Sequence, residues 1–99
     1  MVIVLGEFRI PPENCAKAVA AMERVVTASR AEAGCLSYSY GQDVIDPGLF
    51  RVSEQWLSRE ALTVHFTVPH MKVWQQEREA LGMSGRKVSA FTVSGEEAL

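Results

Sequence analysis

Hydrophobic and polar residues alternate along four segments of the chain, and this alternation predicts four β-strands. The first strand is expected to end at Pro11-Pro12, because proline cannot donate a hydrogen bond to a neighbouring strand. Asp46-Pro47-Gly48 lies between the second and third segments and has the composition of a tight turn. This short spacing predicts that the two strands form an antiparallel hairpin. The four segments are residues 2–10, 35–42, 50–57 and 86–93.

Between these segments, hydrophobic residues recur at helical spacing. The first helix is predicted over residues 13–32, and Gly34 follows it where a left-handed cap is expected. Ser58 is suited to cap a short second helix, and Pro69 restarts the chain into another helical segment over residues 70–81. The inward stripe of the first helix is predicted to contain Cys15, Val19, Met22 and Val26.

The order of these elements is β-α-β-β-α-β with an interrupted second helix, which is the pattern of a ferredoxin-like α+β fold. A chain of 99 residues is long enough for one domain, whose core we expect over residues 2–93. The helices would cover one face of the antiparallel sheet and leave the other face exposed. A second copy of the sheet is the simplest cover for that face, so we expect a homodimer built as a dimeric α+β barrel.

Composition and charge narrow the classes of partner. Ten basic and twelve acidic residues give a net charge of −2, and the basic residues are scattered along the sequence. This argues against nucleic acid as a partner, because a phosphate backbone is bound by concentrated positive charge. The apolar N-terminus is shorter than a signal peptide, and no segment approaches the ~20 apolar residues of a membrane span. We therefore expect a cytoplasmic protein without membrane association.

The common cofactor and metal motifs do not occur in the sequence. There is no phosphate-binding loop and no glycine fingerprint for a dinucleotide. His65 and His70 are five residues apart with a proline between them, and no CxxC pair exists. A metal site built from one chain is therefore not expected, and no residue is assigned to a cofactor.

Two titratable residues occupy positions whose neighbours are hydrophobic. His65 shares a helix face with Leu62 and Phe66, and a neutral imidazole there could accept or donate a proton at cellular pH. Glu54 lies on an otherwise apolar strand face, where burial would raise the pKa of its carboxyl. Each has a structural alternative, since His65 could be a core histidine bonded to backbone and Glu54 could be half of a buried ion pair.

Aromatic side chains are the candidates for the wall of a pocket. Tyr38 and Tyr40 share one strand face, so their hydroxyl groups need partners if both are buried. Packing in the core is the alternative role for each aromatic residue. His70 is expected to be a surface or capping residue at the start of a helix, and Glu7 an ordinary residue of the sheet. The pocket candidates are Tyr38, Tyr40, Trp56, Phe66, Trp74 and Phe8.

A series of short motifs runs through the chain in a fixed order. It begins with Ser29-Arg30-Ala31-Glu32-Ala33-Gly34-Cys35-Leu36-Ser37-Tyr38 and continues with Asp46-Pro47, Glu54-x-Trp56, Ala61-Leu62-x-x-His65 and Pro69-His70. This order resembles that of the antibiotic biosynthesis monooxygenase (ABM) family over nearly the whole chain. The resemblance implies a ferredoxin-like homodimer with a pocket in each subunit between the sheet and the helices.

Several members of that family oxygenate quinols or polycyclic aromatic phenols without a metal, flavin or other prosthetic group. The deprotonated substrate itself reduces dioxygen, and the protein supplies a dry pocket and proton-handling groups. The resemblance therefore implies a cofactor-independent monooxygenase whose substrates are a small aromatic molecule and dioxygen. In this reading His65 accepts or orients the proton, Glu54 is its polar partner or a second proton carrier, and Tyr40 and Trp56 line the pocket.

Other branches of the family suggest alternatives. Haem-degrading members use an asparagine, a tryptophan and a histidine where this chain has Glu7, His65 and Gln75, so the resemblance does not extend to haem degradation. An isomerase branch that acts on a small phosphorylated keto substrate shares Gly34-Cys35-Leu36 and the spacing of His65-x-x-x-Pro69-His70. That alternative stays open, although the sequence does not locate a basic pocket for a phosphate. A small-molecule-binding dimer without turnover is the third.

Overall fold

Four antiparallel strands form one sheet in the order β2-β3-β1-β4, as seen in a computed structural model that describes residues 1–99. All three strand pairs are antiparallel. The connectivity is that of a ferredoxin-like β-α-β-β-α-β fold with the second helix divided in two, so the predicted fold class is confirmed. The elements are β1 (Val2–Arg9), α1 (Cys15–Arg30), β2 (Cys35–Gln42), β3 (Leu49–Trp56), α2 (Arg59–His65), α3 (Pro69–Ala80) and β4 (Ser84–Thr92).

Strand alternation correctly identified the sheet face that meets the helices. On β1 and β3 every second residue is buried except Gly6, which is partly buried, whereas the residues between them are exposed or partly so. Burial of these side chains removes apolar surface from water at roughly 25 cal/mol per Å² and is the main source of stability for the layer. The buried residues of the two central strands are Val2, Val4, Phe8, Phe50, Val52, Glu54 and Trp56.

The inward face of α1 differs from the prediction. Val19 is 40% exposed, although it was expected in the inward stripe, and Cys15 and Val26 are only partly buried. Met22 is buried as predicted, whereas Val19 was misplaced because alanines, whose small side chains allow close packing, occupy the centre of the buried face. The buried residues of α1 are Ala18, Ala21, Met22, Val25 and Ser29.

Local capping sets where α2 and α3 begin. The Ser58 side-chain oxygen accepts a hydrogen bond from the backbone N–H of Ala61 at 3.2 Å, as expected for an N-cap. Pro69 starts α3, where a missing backbone N–H costs no hydrogen bond. Gly34 has a φ of 86°, so its predicted left-handed conformation is confirmed. None of the helices combines the length and apolar character that crossing a bilayer requires.

The sheet face opposite the helices is uncovered in the single chain. Leu5 and Phe91 are about half exposed there, at 49% and 51%. Gly6 lies opposite Val88 in β4. A Cβ atom on Gly6 would come within 2.5 Å of the Val88 side chain, so β1 and β4 approach as closely as they do because residue 6 is glycine.

Candidate active site

A cavity of about 270 Å³ lies between the inner face of the sheet and the helices α2 and α3. Twelve of its eighteen lining residues are hydrophobic, which is the usual character of a small-molecule site. Its volume is slightly below the range typical of drug-sized ligands, so it suits a molecule of one or two rings. The other six lining residues are Glu54, His65, Ser89 and the arginines Arg59, Arg78 and Arg86, and the hydroxyl groups of Tyr38 and Tyr40 add to the polar lining.

His65 is the last residue of α2, and its side chain is 1% exposed. Its Nδ1 lies 2.6 Å from Glu32 Oε2, in the turn that follows α1. Because a carboxylate accepts hydrogen bonds, this contact assigns the proton to Nδ1 and leaves Nε2 with a lone pair. Burial lowers the pKa of His65, and the bond to Glu32 opposes that effect. The ring is therefore held neutral, with one nitrogen able to accept a proton.

His70 contacts the same carboxylate from the start of α3. Its Nε2 lies 2.9 Å from Glu32 Oε2, while its Nδ1 is buried without a hydrogen-bond partner. We expected His70 to be a surface or capping residue. Instead it is partly buried and contacts the Glu32 carboxylate, and Val68 holds the N-cap position of α3. The ligand atoms of Glu32, His65 and His70 all lie within 4.8 Å of one another, so these three residues are the group best placed to hold a metal. Their contacts are at hydrogen-bonding distances, shorter than the separation of two ligands on a tetrahedral zinc.

Glu54 faces the cavity from the central strand β3, between Tyr38 on β2 and Val4 on β1. It is 6% exposed and forms no salt bridge, so the ion-pair alternative does not hold. Its partner is Trp56, whose indole Nε1–H donates to Oε1 at 2.8 Å. Burial raises the pKa of Glu54 to about 7, against the lowering effects of Trp56 and Arg86. Near neutral pH this carboxyl can therefore either take up or release a proton.

Two phenols stand beside Glu54 on the cavity wall. The hydroxyl groups of Tyr38 and Tyr40 are 3.1 Å apart, so each tyrosine supplies the partner that the other needs. Burial raises the pKa of Tyr38, and it raises that of Tyr40 to about 12. Both phenols stay protonated at cellular pH and can donate hydrogen bonds.

The structure brings most of the predicted aromatic residues to the cavity and excludes one. Tyr38, Tyr40, Phe8 and Trp74 line it, and Phe66 lines it while remaining 47% exposed. Trp56 does not line the cavity, contrary to the expectation.

The reason lies in the orientation of the Trp56 side chain. Trp56 is fully buried, its N–H is directed to Glu54, and its ring packs against His65 with centroids 4.6 Å apart. Trp56 therefore contacts both titratable residues, Glu54 and His65, without lining the cavity. Glu7 lies exposed on β1 opposite Lys87, away from the cavity.

Sequence reasoning missed four charged residues of the site. Glu32 belongs to the first motif of the family resemblance, but nothing in that motif connected it with His65, because their contact spans 33 positions. Arg78 and Arg86 could have been found from their spacing. Arg78 is four residues after the buried Trp74 and so shares its helix face, and Arg86 lies on the same strand face as Val88. The missed residues are Glu32, Arg59, Arg78 and Arg86.

Comparison with known protein families identifies the family of this chain. The sequence model of the family described as antibiotic biosynthesis monooxygenase matches residues 1–77. The chain belongs to the ABM family. The resemblance read from the motifs is thereby confirmed.

A solved structure from Deinococcus radiodurans, named after the ABM family, is 25% identical, with a TM-score of 0.94 over 100% of this chain and 98% of that one. Rv0793 from Mycobacterium tuberculosis is 26% identical, with a TM-score of 0.87 over 98% of each chain. Among curated proteins, sll1783 of Synechocystis, which is uncharacterized, is 24% identical over 99% of this chain and 67% of its own length.

Proposed function

We propose that this ABM-family protein is a cofactor-independent monooxygenase that oxidises a quinol-like aromatic molecule with dioxygen. The observation that carries the proposal is the pairing of Glu32 with His65, which leaves His65 Nε2 as a proton acceptor on a mostly apolar cavity. The cavity volume of about 270 Å³ favours a quinol of one or two rings over a larger polycyclic phenol.

In the proposed reaction, His65 Nε2 removes a proton from the phenolic hydroxyl of the substrate. The resulting phenolate is electron-rich enough to reduce dioxygen, and the apolar walls keep water from the reactive intermediate. One oxygen atom enters the ring and the other leaves as water, so that a quinol and dioxygen give a hydroxyquinone and water. Glu54 is suited to deliver a proton to the departing oxygen, because its pKa of about 7 leaves much of the carboxyl protonated near neutrality.

Two neutral phenols support the developing negative charge in this scheme. Tyr38 and Tyr40 are hydrogen-bond donors on the same wall, and preorganised donors stabilise an anion more strongly in a dry cavity than in water. Glu32 acts through His65 as a positioning residue, since it fixes the tautomer and orientation of the ring.

Oxygen consumption tests the proposal. Metal-stripped protein would be given a panel of reduced one- and two-ring quinols, with spontaneous autoxidation subtracted. We expect protein-dependent uptake that falls by about a hundredfold in His65→Ala, which is a typical contribution of a general base. Val64→Ala, an exposed neighbour on α2, is the matched control and should retain activity. Uptake that is unchanged in His65→Ala would reject the role of His65.

A second candidate is an isomerase that moves a proton between the keto and enol forms of a small substrate. It is favoured by the presence of His65 and Glu54 in one cavity together with Arg59, Arg78 and Arg86, which could hold a phosphate. Turnover of a keto substrate without oxygen uptake would favour this candidate. Absence of any turnover would favour a binding dimer.

A further inference from the structure

We propose that the arginines of the cavity hold an anionic substituent of the substrate, so that the ligand is a one- or two-ring phenol bearing a carboxylate or a phosphate. This inference rests on the function proposed above, because it names the substrate class for the same cavity. Its residues are Arg59 on α2, Arg78 on α3 and Arg86 on β4, all of which line the cavity.

These three arginines have no acidic partners. Three arginines elsewhere on the surface form salt bridges with Asp46, Asp43 and Glu77. None of the three cavity arginines forms a salt bridge, and the only side-chain hydrogen bond among them runs from Arg59 to Thr63 at 3.2 Å. Arg78 is the partly buried member of the group and has no acidic partner, whereas Arg59 and Arg86 are exposed and free to turn toward a ligand.

Two of these arginines, Arg78 and Arg86, repel each other. Arg78 is partly buried, and its pKa is lowered first by burial and then by the positive charge of Arg86. Both residues also border a shallow depression beside Glu79, which does not pair with either of them. An anion placed between the two guanidinium groups would relieve this repulsion and accept several hydrogen bonds.

The lining of the cavity carries more positive than negative charge. Glu54 is the only carboxylate among the residues that line the cavity. With a pKa of about 7 it is partly protonated near neutral pH, so it contributes at most one negative charge to a lining that contains three arginines. A negative group on the ligand would complete the charge balance.

The placement of these groups gives the ligand a direction. His65 closes α2, whereas Arg78 lies near the end of α3, beyond Trp74. The anionic group would lie toward Arg78 and Arg86, and the hydroxyl-bearing ring would lie toward His65, with Glu54 near enough to feel the charge of Arg86. Such an arrangement would bind the substrate by a group that takes no part in the reaction.

Calorimetric binding under anaerobic conditions tests the inference without turnover. The probes are a hydroxynaphthoate, the uncharged hydroxynaphthamide with the same substitution pattern, and the corresponding hydroxynaphthyl phosphate. We expect the wild-type protein to bind the carboxylate about tenfold more tightly than the amide, as a charge-assisted contact would give. Added salt should weaken binding of the carboxylate more than that of the amide.

Variants then assign the preference to residues. Arg78→Gln should bring the ratio of carboxylate to amide affinity close to one, and Arg78→Lys should retain part of it. Lys72→Gln removes a positive charge from the same helix outside the cavity and should leave the ratio unchanged. Tighter binding of the phosphate than of the carboxylate would identify a phosphate monoester as the preferred class, and the reverse order would identify a carboxylate.

Equal affinity of the wild-type protein for carboxylate and amide, or no binding of either anion, would overturn the inference. A preference that persists in Arg78→Gln and in Arg86→Gln would overturn it as well. An anion preference without oxygen uptake would leave the inference standing and remove the monooxygenase. Oxygen uptake with uncharged quinols, together with no anion preference, would overturn the inference and leave the monooxygenase proposal standing.

Discussion

Replacement of Glu54 by glutamine should change how the stability of the protein depends on pH. The carboxyl is 6% exposed, and burial raises its pKa from the ordinary value of 4.5 to about 7. Below about pH 4 it is protonated in both the folded and the unfolded chain, so folding carries no penalty. Between the two pKa values only the unfolded chain ionises, and the free energy of unfolding falls as pH rises. Above about pH 7 the carboxyl ionises in the folded chain as well, so the free energy of unfolding falls no further.

The size of this loss follows from the pKa difference. One pKa unit corresponds to about 1.4 kcal/mol, so the shift of Glu54 amounts to about 3 kcal/mol. Glutamine has nearly the same shape, and its carbonyl can still accept the Trp56 N–H, but it does not titrate. We expect Glu54→Gln to match the wild-type protein at about pH 4 and to exceed its stability by about 3 kcal/mol at about pH 8.5.

Urea denaturation of both proteins across this pH range measures the effect. Taking the difference between the two proteins cancels the contributions of other titrating groups, including His65. Glu96→Gln, in the exposed C-terminal tail, removes a carboxylate without altering the core and serves as the control. Parallel pH profiles for the wild-type protein and Glu54→Gln would refute the reasoning.

Three further outcomes are expected. Glu32→Gln should lower turnover by about tenfold and move the acidic limb of the kcat/KM profile to lower pH, because Glu32 raises the pKa of His65; an unmoved limb would argue against the pairing. Gly6→Ala should destabilise the fold by about 1–3 kcal/mol in thermal unfolding through overlap with Val88, whereas Gly41→Ala, whose added Cβ meets no neighbour, should not. Sedimentation should give about twice the mass of 10.9 kDa, and Leu5→Glu on the uncovered sheet face should yield monomers.

The sheet could be predicted from the sequence because strand alternation depends only on neighbouring residues. Position 54 was recognised as inward-facing in this way, and the structure supplied its partner, Trp56. The inward face of α1 was predicted less well, because Ala18 and Ala21 give a weaker hydrophobic signal than Val19 although they pack more closely. Helix phase is thus harder to predict where small residues form the contact.

The candidate site could be predicted only in part, because its charges come together through the fold. His65 was identified from the phase of its helix, but nothing in the linear sequence connects it with Glu32. Arg78 and Arg86 appeared scattered in the sequence, and the turn between α3 and β4 places both on one cavity. Trp56 was predicted on the cavity wall because an indole is a common lining group, yet its need for a hydrogen-bond acceptor turned it toward Glu54.

The carboxylate of Glu32 also closes two loops of the chain. Its contacts with His65 and His70 join positions 33 and 38 residues apart, and each closure costs chain entropy that only the surrounding packing can repay. The proton-accepting geometry of His65 therefore requires the turn after α1, and no fragment containing α2 and α3 alone can form it. Partial unfolding of the turn after α1 would disable the histidine while the sheet stayed intact, so activity would report on local opening before spectroscopic probes of secondary structure do.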